Sequence, residues 1–157
     1  MSAQLIYDHA PLGAIIRYSD GTPRPPERHR RKLRAWENRN NTGRLVKKMP
    51  GRRTGEITFP CSFTLHEGDY GTKAVIVLKV FKSFSVDSDL AFTVVERPAV
   101  GSVLVLSRSG DAGELVHVAD NRPAAEEWLS RHGYPGAVLH EVTADEVAAD
   151  QVEGRAT

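Results

Sequence analysis

The side chains of this chain best suited to chemistry are cations, and they are crowded into one stretch. Between Arg17 and Arg53 stand thirteen Lys/Arg against three Asp/Glu, whereas residues 54–157 hold eight against sixteen, so a formal net charge of +1 conceals two opposed regions. Guanidinium groups at this density suit phosphate: the Arg fork meets two oxygens at once, and each neutralised phosphate releases condensed counterions. The candidate binding residues are Arg24, Arg28, Arg31, Lys32 and Arg39, followed by Arg44, Lys47, Lys48, Arg52 and Arg53. Two other readings compete. One is a solvated face paired with the C-terminal region, where residues 109–157 carry three basic and ten acidic side chains. The other is an acidic protein partner. Tyr18 and Trp36 flank the stretch with rings that can stack on bases. Trp36 is expected instead to anchor a helix to a sheet, because that helix has few other apolar residues. No helix-turn-helix, zinc knuckle or aromatic sheet signature accompanies the charge.

Other chemistries find less support. Cys61 alternates with Phe59 and Phe63 and reads as a packed, protonated thiol. His9, His29, His66, His117, His132 and His140 form neither H-E-x-x-H nor any other close ligand pair. Only folding could bring His66 to Glu67 and Asp69, or His117 to Asp120. There is no G-x-S-x-G elbow, and Gly110-Asp111-Ala112-Gly113 lacks the third glycine and the Lys/Ser pair of a phosphate loop. No catalytic residue, metal site or cofactor is expected.

The elements that must position the cations follow from periodicity. Residues 2–7 and 12–18 read as short strands joined through Pro11. Thr22-Pro23-Arg24-Pro25-Pro26 is a stiff, extended entry to a helix that starts near Pro26 and runs through Arg39. Leu33 and Trp36 share one face of it with His29 and Asn40; Arg24, Arg28, Arg31 and Arg39 take the other, with Lys32 at the edge. Asn40-Asn41-Thr42-Gly43 should end the helix. A short strand at Arg44-Leu45-Val46 and a loop over 47–55 come next. The period then becomes two: Ile57, Phe59, Cys61, Phe63 and Leu65 face inward from one strand, with Pro60 on its polar side. Residues 67–71 read as a turn, and 73–82, apolar on both faces, as a central strand.

Further strands are expected at 90–96, 102–107, 114–119 and 136–142, with a hairpin turn at 109–113. Asp120 or Asn121 caps a helix holding Pro123, Ala125, Trp128, Leu129 and His132, which Gly133 stops. Thr143-Ala144-Asp145-Glu146 matches a capping box, with Val142 and Val147 placed for a hydrophobic staple.

These features define an α+β fold: a mainly antiparallel sheet, one basic helix in the N-terminal half and two short C-terminal helices. A length of 157 residues suits a single domain, with a weak sub-boundary near 97–101. One cysteine is compatible with a reducing compartment. The longest purely aliphatic run, residues 74–78, is far short of the ~20 that span a bilayer. Met1–Leu5 has neither the charged nor the apolar region of a secretion signal. A cytoplasmic location and no membrane partner are therefore expected.

Tyr7-Asp8-His9-Ala10-Pro11-Leu12-Gly13, Arg17-Tyr18-Ser19-Asp20-Gly21-Thr22-Pro23 and the run Trp36–Asn40 resemble small uncharacterised bacterial proteins of plasmids and integrated elements. The resemblance covers the first third of the chain. It implies a bacterial accessory protein and brings no activity, cofactor or site residue. With the basic segment, it leads to the expectation of a non-enzymatic accessory or regulatory protein that binds nucleic acid. The alternative is a protein-interaction module or inhibitor docking on an acidic partner.

Overall fold

Ser2 caps the first element of the chain. Its hydroxyl accepts the amide of Leu5, and a helix, α1 (Ala3–His9), forms where alternation suggests a strand. Ala3, Ile6 and Ala10 are buried at helical spacing, and Gln4 bonds Asp8 one turn on, so the period of 3.6 prevails over that of two. The computed structural model describes residues 1–71, 76–110 and 113–149. The expected strand start at 73–75, the centre of the 109–113 turn and the acidic tail from 150 onward lie outside the described residues.

After α1 come β1 (Ile15–Ser19), α2 (Arg30–Glu37), β2 (Asn41–Met49), β3 (Arg52–Thr54), β4 (Ile57–Phe59), β5 (Ser62–Gly71), β6 (Ile76–Ser85) and β7 (Ala91–Glu96). A five-stranded antiparallel sheet runs β6-β5-β2-β1-β7, and β3 and β4 form a separate hairpin. Beyond the 97–101 segment, β8 (Val103–Leu106), β9 (Leu115–Ala119) and β10 (Val138–Glu141) build a second antiparallel sheet, ordered β10-β8-β9. Helix α3 (Arg122–His132) follows β9, and α4 (residues 144–149) follows β10. The architecture is the expected α+β one, with the basic helix in the first half and two helices near the C-terminus.

Several boundaries differ from expectation. The strand expected across 56–66 breaks at Pro60, which has no N–H to donate; only Phe63 and Leu65 reach the core, while Ile57 and Phe59 are exposed. Cys61 is half-buried rather than core, and its sulfur accepts the Gly51 amide at 3.2 Å. Residues 67–71 continue β5, paired with β6, instead of turning. β6 is an edge strand, because its doubly apolar run pairs only with β5; the central strand is β2. Adjacent β2 residues Leu45 and Val46 are buried in different clusters, the first with Phe63 and Phe92, the second with Leu104, Leu115 and Val142. Val46 thereby ties the two sheets together, and α3 covers the other face of the small sheet through Ala125, Trp128 and Leu129.

Gly43 belongs to β2 rather than to a helix cap. A Cβ there would stand 2.9 Å from Leu65 Cβ and 3.1 Å from the His66 carbonyl oxygen. It would also meet Glu67 Cγ at 3.3 Å, and the Glu67 carboxylate accepts the Tyr18 hydroxyl from β1. Burial, then this carboxylate, pushes the phenol far above its ordinary range. At the other end, the sequence signals for α3 and α4 hold. Asn121 accepts the Ala124 amide, Gly133 adopts φ 64°, and Thr143 and Glu146 exchange the two bonds of a capping box.

Candidate nucleic-acid interface

α2 is shorter than expected because it has no side-chain N-cap and begins only where the His29 carbonyl accepts Leu33. Arg24 and Arg28 therefore precede the helix, on an exposed Pro-rich segment. Arg24 lies 3.7 Å from Glu27, and Arg28 Nε donates to His29 at 3.3 Å. None of the residues of α2 is buried. A helix that docks so little apolar surface needs polar attachment, and its C-terminal end supplies it.

Asn40 is the fastener. Its Oδ1 accepts from Ser19 Oγ at 2.8 Å and from the Asp20 amide at 3.1 Å, while Nδ2 donates to Asp20 Oδ1 and to the Trp36 carbonyl. Asp20 also accepts the hydroxyl and amide of Thr22, at 2.6 and 3.0 Å, and Arg39 lies 3.4 Å away. The Thr22 bonds first, then Asn40 and Arg39, hold the Asp20 carboxyl down at about 2. Lys82 of β6 donates to the Asn38 carbonyl, a cation at the negative end of the helix. Trp36 does not anchor the helix to the sheet as expected: its indole N–H donates to the Thr22 carbonyl at 3.0 Å and folds α2 onto the extended segment. Tyr18, buried in the core, has no face for a base.

This attachment sorts the cations. Arg39 is engaged by Asp20 and by Asp89, each at 3.4 Å. Arg44 turns inward and donates to the Gly13 carbonyl at 2.7 Å. Arg30, Arg31, Lys32 and Arg34 are exposed and have no hydrogen-bond or ion-pair partner among the described residues. Arg30, Arg31 and Arg34 line one shallow groove with Ala35 and Asn38, on the side away from Leu33 and Trp36. Arg30 and Arg34, not among the expected binding residues, stand one turn apart on this face, a spacing readable in the sequence. Among the described residues, no ion pair joins α2 to the acidic C-terminal region.

The expected 47–55 loop is largely strand. Lys47 and Lys48 lie in β2, Lys48 with its ammonium 6.0 Å from the Tyr7 ring. Arg52 and Arg53 lie in β3; Arg52 stacks 4.9 Å from the Phe59 ring, and Arg53 Nε donates to the Gly55 carbonyl at 3.2 Å. Every residue from 50 to 60 is exposed, so the β3–β4 hairpin is a bare ribbon.

The model of the family described as Uncharacterised conserved protein UCP036055 matches residues 1–146. The chain belongs to this family. No curated protein and no solved structure matches it. The UCP036055 match spans α2, the hairpin and both sheets, so the exposed cations lie within the family's own region rather than on an appended tail.

In this UCP036055 protein the histidines build no metal site: among the described residues, no group of three His, Cys, Asp or Glu is placed to hold an ion. Sequence reasoning missed what two of them do. His117 and His132 stack on Trp128 at 4.6 and 4.0 Å, with interplanar angles of 4° and 7°, and Tyr134 lies parallel at 5.7 Å. The i, i+4 spacing of Trp128 and His132 was readable; the arrival of His117 from β9 was not. Desolvation, then the neighbouring His132, lowers the His117 pKa below 6.5. The unfolded chain then takes up a proton before the native one does, so stability is full above about 6.5 and declines as pH falls below it. Thermal melts at about pH 7.5 and about pH 5.5 should show this decline. His117→Gln should reduce it, and an equal decline in the variant would reject His117 as its source.

No helix among the described residues is long and apolar enough to cross a membrane.

Proposed function

We propose that this protein binds nucleic acid through the outward face of α2, with the cations of β2 and β3 adding contacts from a second direction. One observation carries the reading: Arg30, Arg31 and Arg34 share an exposed face that no carboxylate among the described residues neutralises. A guanidinium row at the spacing of a helix can follow a phosphate backbone, and it needs no catalytic group beside it. An accessory or regulatory role, as the resemblance to plasmid and integrated-element proteins implies, accords with such a surface.

Salt tests the reading. With about five phosphate contacts the log–log salt slope is about −4.5, and affinity for a duplex of about 30 base pairs should fall on the order of 500-fold between about 50 and 200 mM salt. Electrophoretic shift or fluorescence anisotropy reads this directly. Affinity that stays flat across that range, or no binding to DNA or RNA at all, rejects phosphate recognition.

A further inference from the structure

We propose that the β3–β4 hairpin lodges in the major groove of duplex DNA and packs Ile57 and Phe59 against thymine methyl groups. The inference rests on the nucleic-acid reading above and adds the element that touches bases. Arg52 pairs with Phe59 and Thr54 with Ile57, so these four side chains share one face of the ribbon, while Arg53 and Thr58 share the other. Ile57 is 62% exposed and Phe59 43%, and Met49 at the base of the hairpin is 40% exposed. Apolar side chains concentrated on one small projecting face mark a surface that is covered by something else.

Charge selects the occupant. Arg52 lies on the apolar face, 4.9 Å from the Phe59 ring, Arg53 is on the opposite face and Lys47 is in the preceding strand, against the single carboxylate of Glu56 between residues 47 and 61. A polyanion with apolar points on its surface complements that combination. The major groove, about 12 Å wide, admits a two-stranded ribbon and presents the thymine methyl as an apolar contact. A lipid surface fits less well. The tip is Gly55-Glu56, so a hairpin entering an anionic bilayer end-on would lead with a carboxylate. Lying sideways in a groove, the ribbon turns Ile57 and Phe59 toward the bases and lets Glu56 project past them.

The test uses the full chain, a thymine-rich duplex, the same duplex with deoxyuridine replacing thymidine, and anionic phosphatidylserine vesicles. The wild type should bind the thymidine duplex about tenfold more tightly than the deoxyuridine one, because each lost methyl removes apolar contact. Ile57→Ser/Phe59→Ser should bind both alike, with its salt slope unchanged. Neither side chain is buried, so the melting temperature of this variant should stay that of the wild type. Equal wild-type affinity for the two duplexes overturns the groove contact and leaves phosphate binding by α2 intact. Absence of all duplex binding fails that underlying reading instead. Vesicle binding lost in the double variant, without a thymidine preference, also overturns the proposal, in favour of a lipid surface.

Discussion

Arg30→Gln/Arg31→Gln/Arg34→Gln should weaken duplex binding about 500-fold at about 0.1 M salt while leaving the melting temperature where it is. The two halves of this result have separate causes. Three lost phosphate contacts remove roughly 2.7 from the magnitude of the log–log salt slope, and at about 0.1 M each contributes about 0.9 log units to affinity. Stability is untouched because these side chains are exposed and touch no partner among the described residues. Glutamine also keeps helix propensity close to that of arginine. Titrations at several salt concentrations, beside a thermal melt, read both quantities on one sample. A variant that binds as tightly as the wild type removes α2 from the interface. Arg39→Gln is the contrasting control: this residue bridges Asp20 and Asp89 from a partly exposed position, so its loss should cost at most about 1 kcal/mol and change affinity less.

The sequence disclosed the elements whose local signals agree. Helix α3 has a cap, a proline in its first turn and a glycine stop, and nothing in its tertiary setting opposes them. The antiparallel strands from 91 to 119 likewise alternate or run apolar between turn residues. Where local and long-range preferences diverged, the long-range ones won. Ser2 has only the modest force of an N-cap, and its helix is fixed because Ala3 and Ile6 close the core under β1 and β7. Gly43 looks like a helix stop in sequence, but it lies in β2, where Leu65, the His66 carbonyl and Glu67 of β5 leave no room for a Cβ. The pairing of cations was the least legible feature. Arg31 and Arg39 are alike on a helical projection, yet only Arg39 meets carboxylates, one from the loop after β1 and one from the loop before β7. No periodicity within residues 26–39 contains that information. It arises because Asn40 and Lys82 pin only the C-terminal end of α2 to the sheet.

Phe92→Ala should be the most damaging single substitution for the fold that carries this surface. Phe92 is fully buried and lies edge-on to Phe63 and Phe84, with both centroids at 5.3 Å and interplanar angles of 76° and 81°. Tyr18 completes the cluster at 6.3 Å. The rings come from four strands, β1, β5, β6 and β7, so no single shift of backbone can close the hole. Removing a buried phenylalanine costs about 3–5 kcal/mol, which is a large share of the roughly 5–15 kcal/mol that holds a domain together. For a chain of this length that corresponds to a fall of about 10–20 °C in melting temperature. Urea unfolding should show the midpoint moving with little change in slope. A loss below about 1 kcal/mol would mean that the aromatic cluster is not closed as described. The substitution also separates two ways of losing function. β1 pairs Tyr18 with Phe92 and then runs into Ser19 and Asp20, the residues that fasten α2. Phe92→Ala should therefore reduce binding only in proportion to the molecules that unfold, with the salt slope of the folded fraction preserved, whereas loss of the α2 arginines lowers the slope in a fully folded protein.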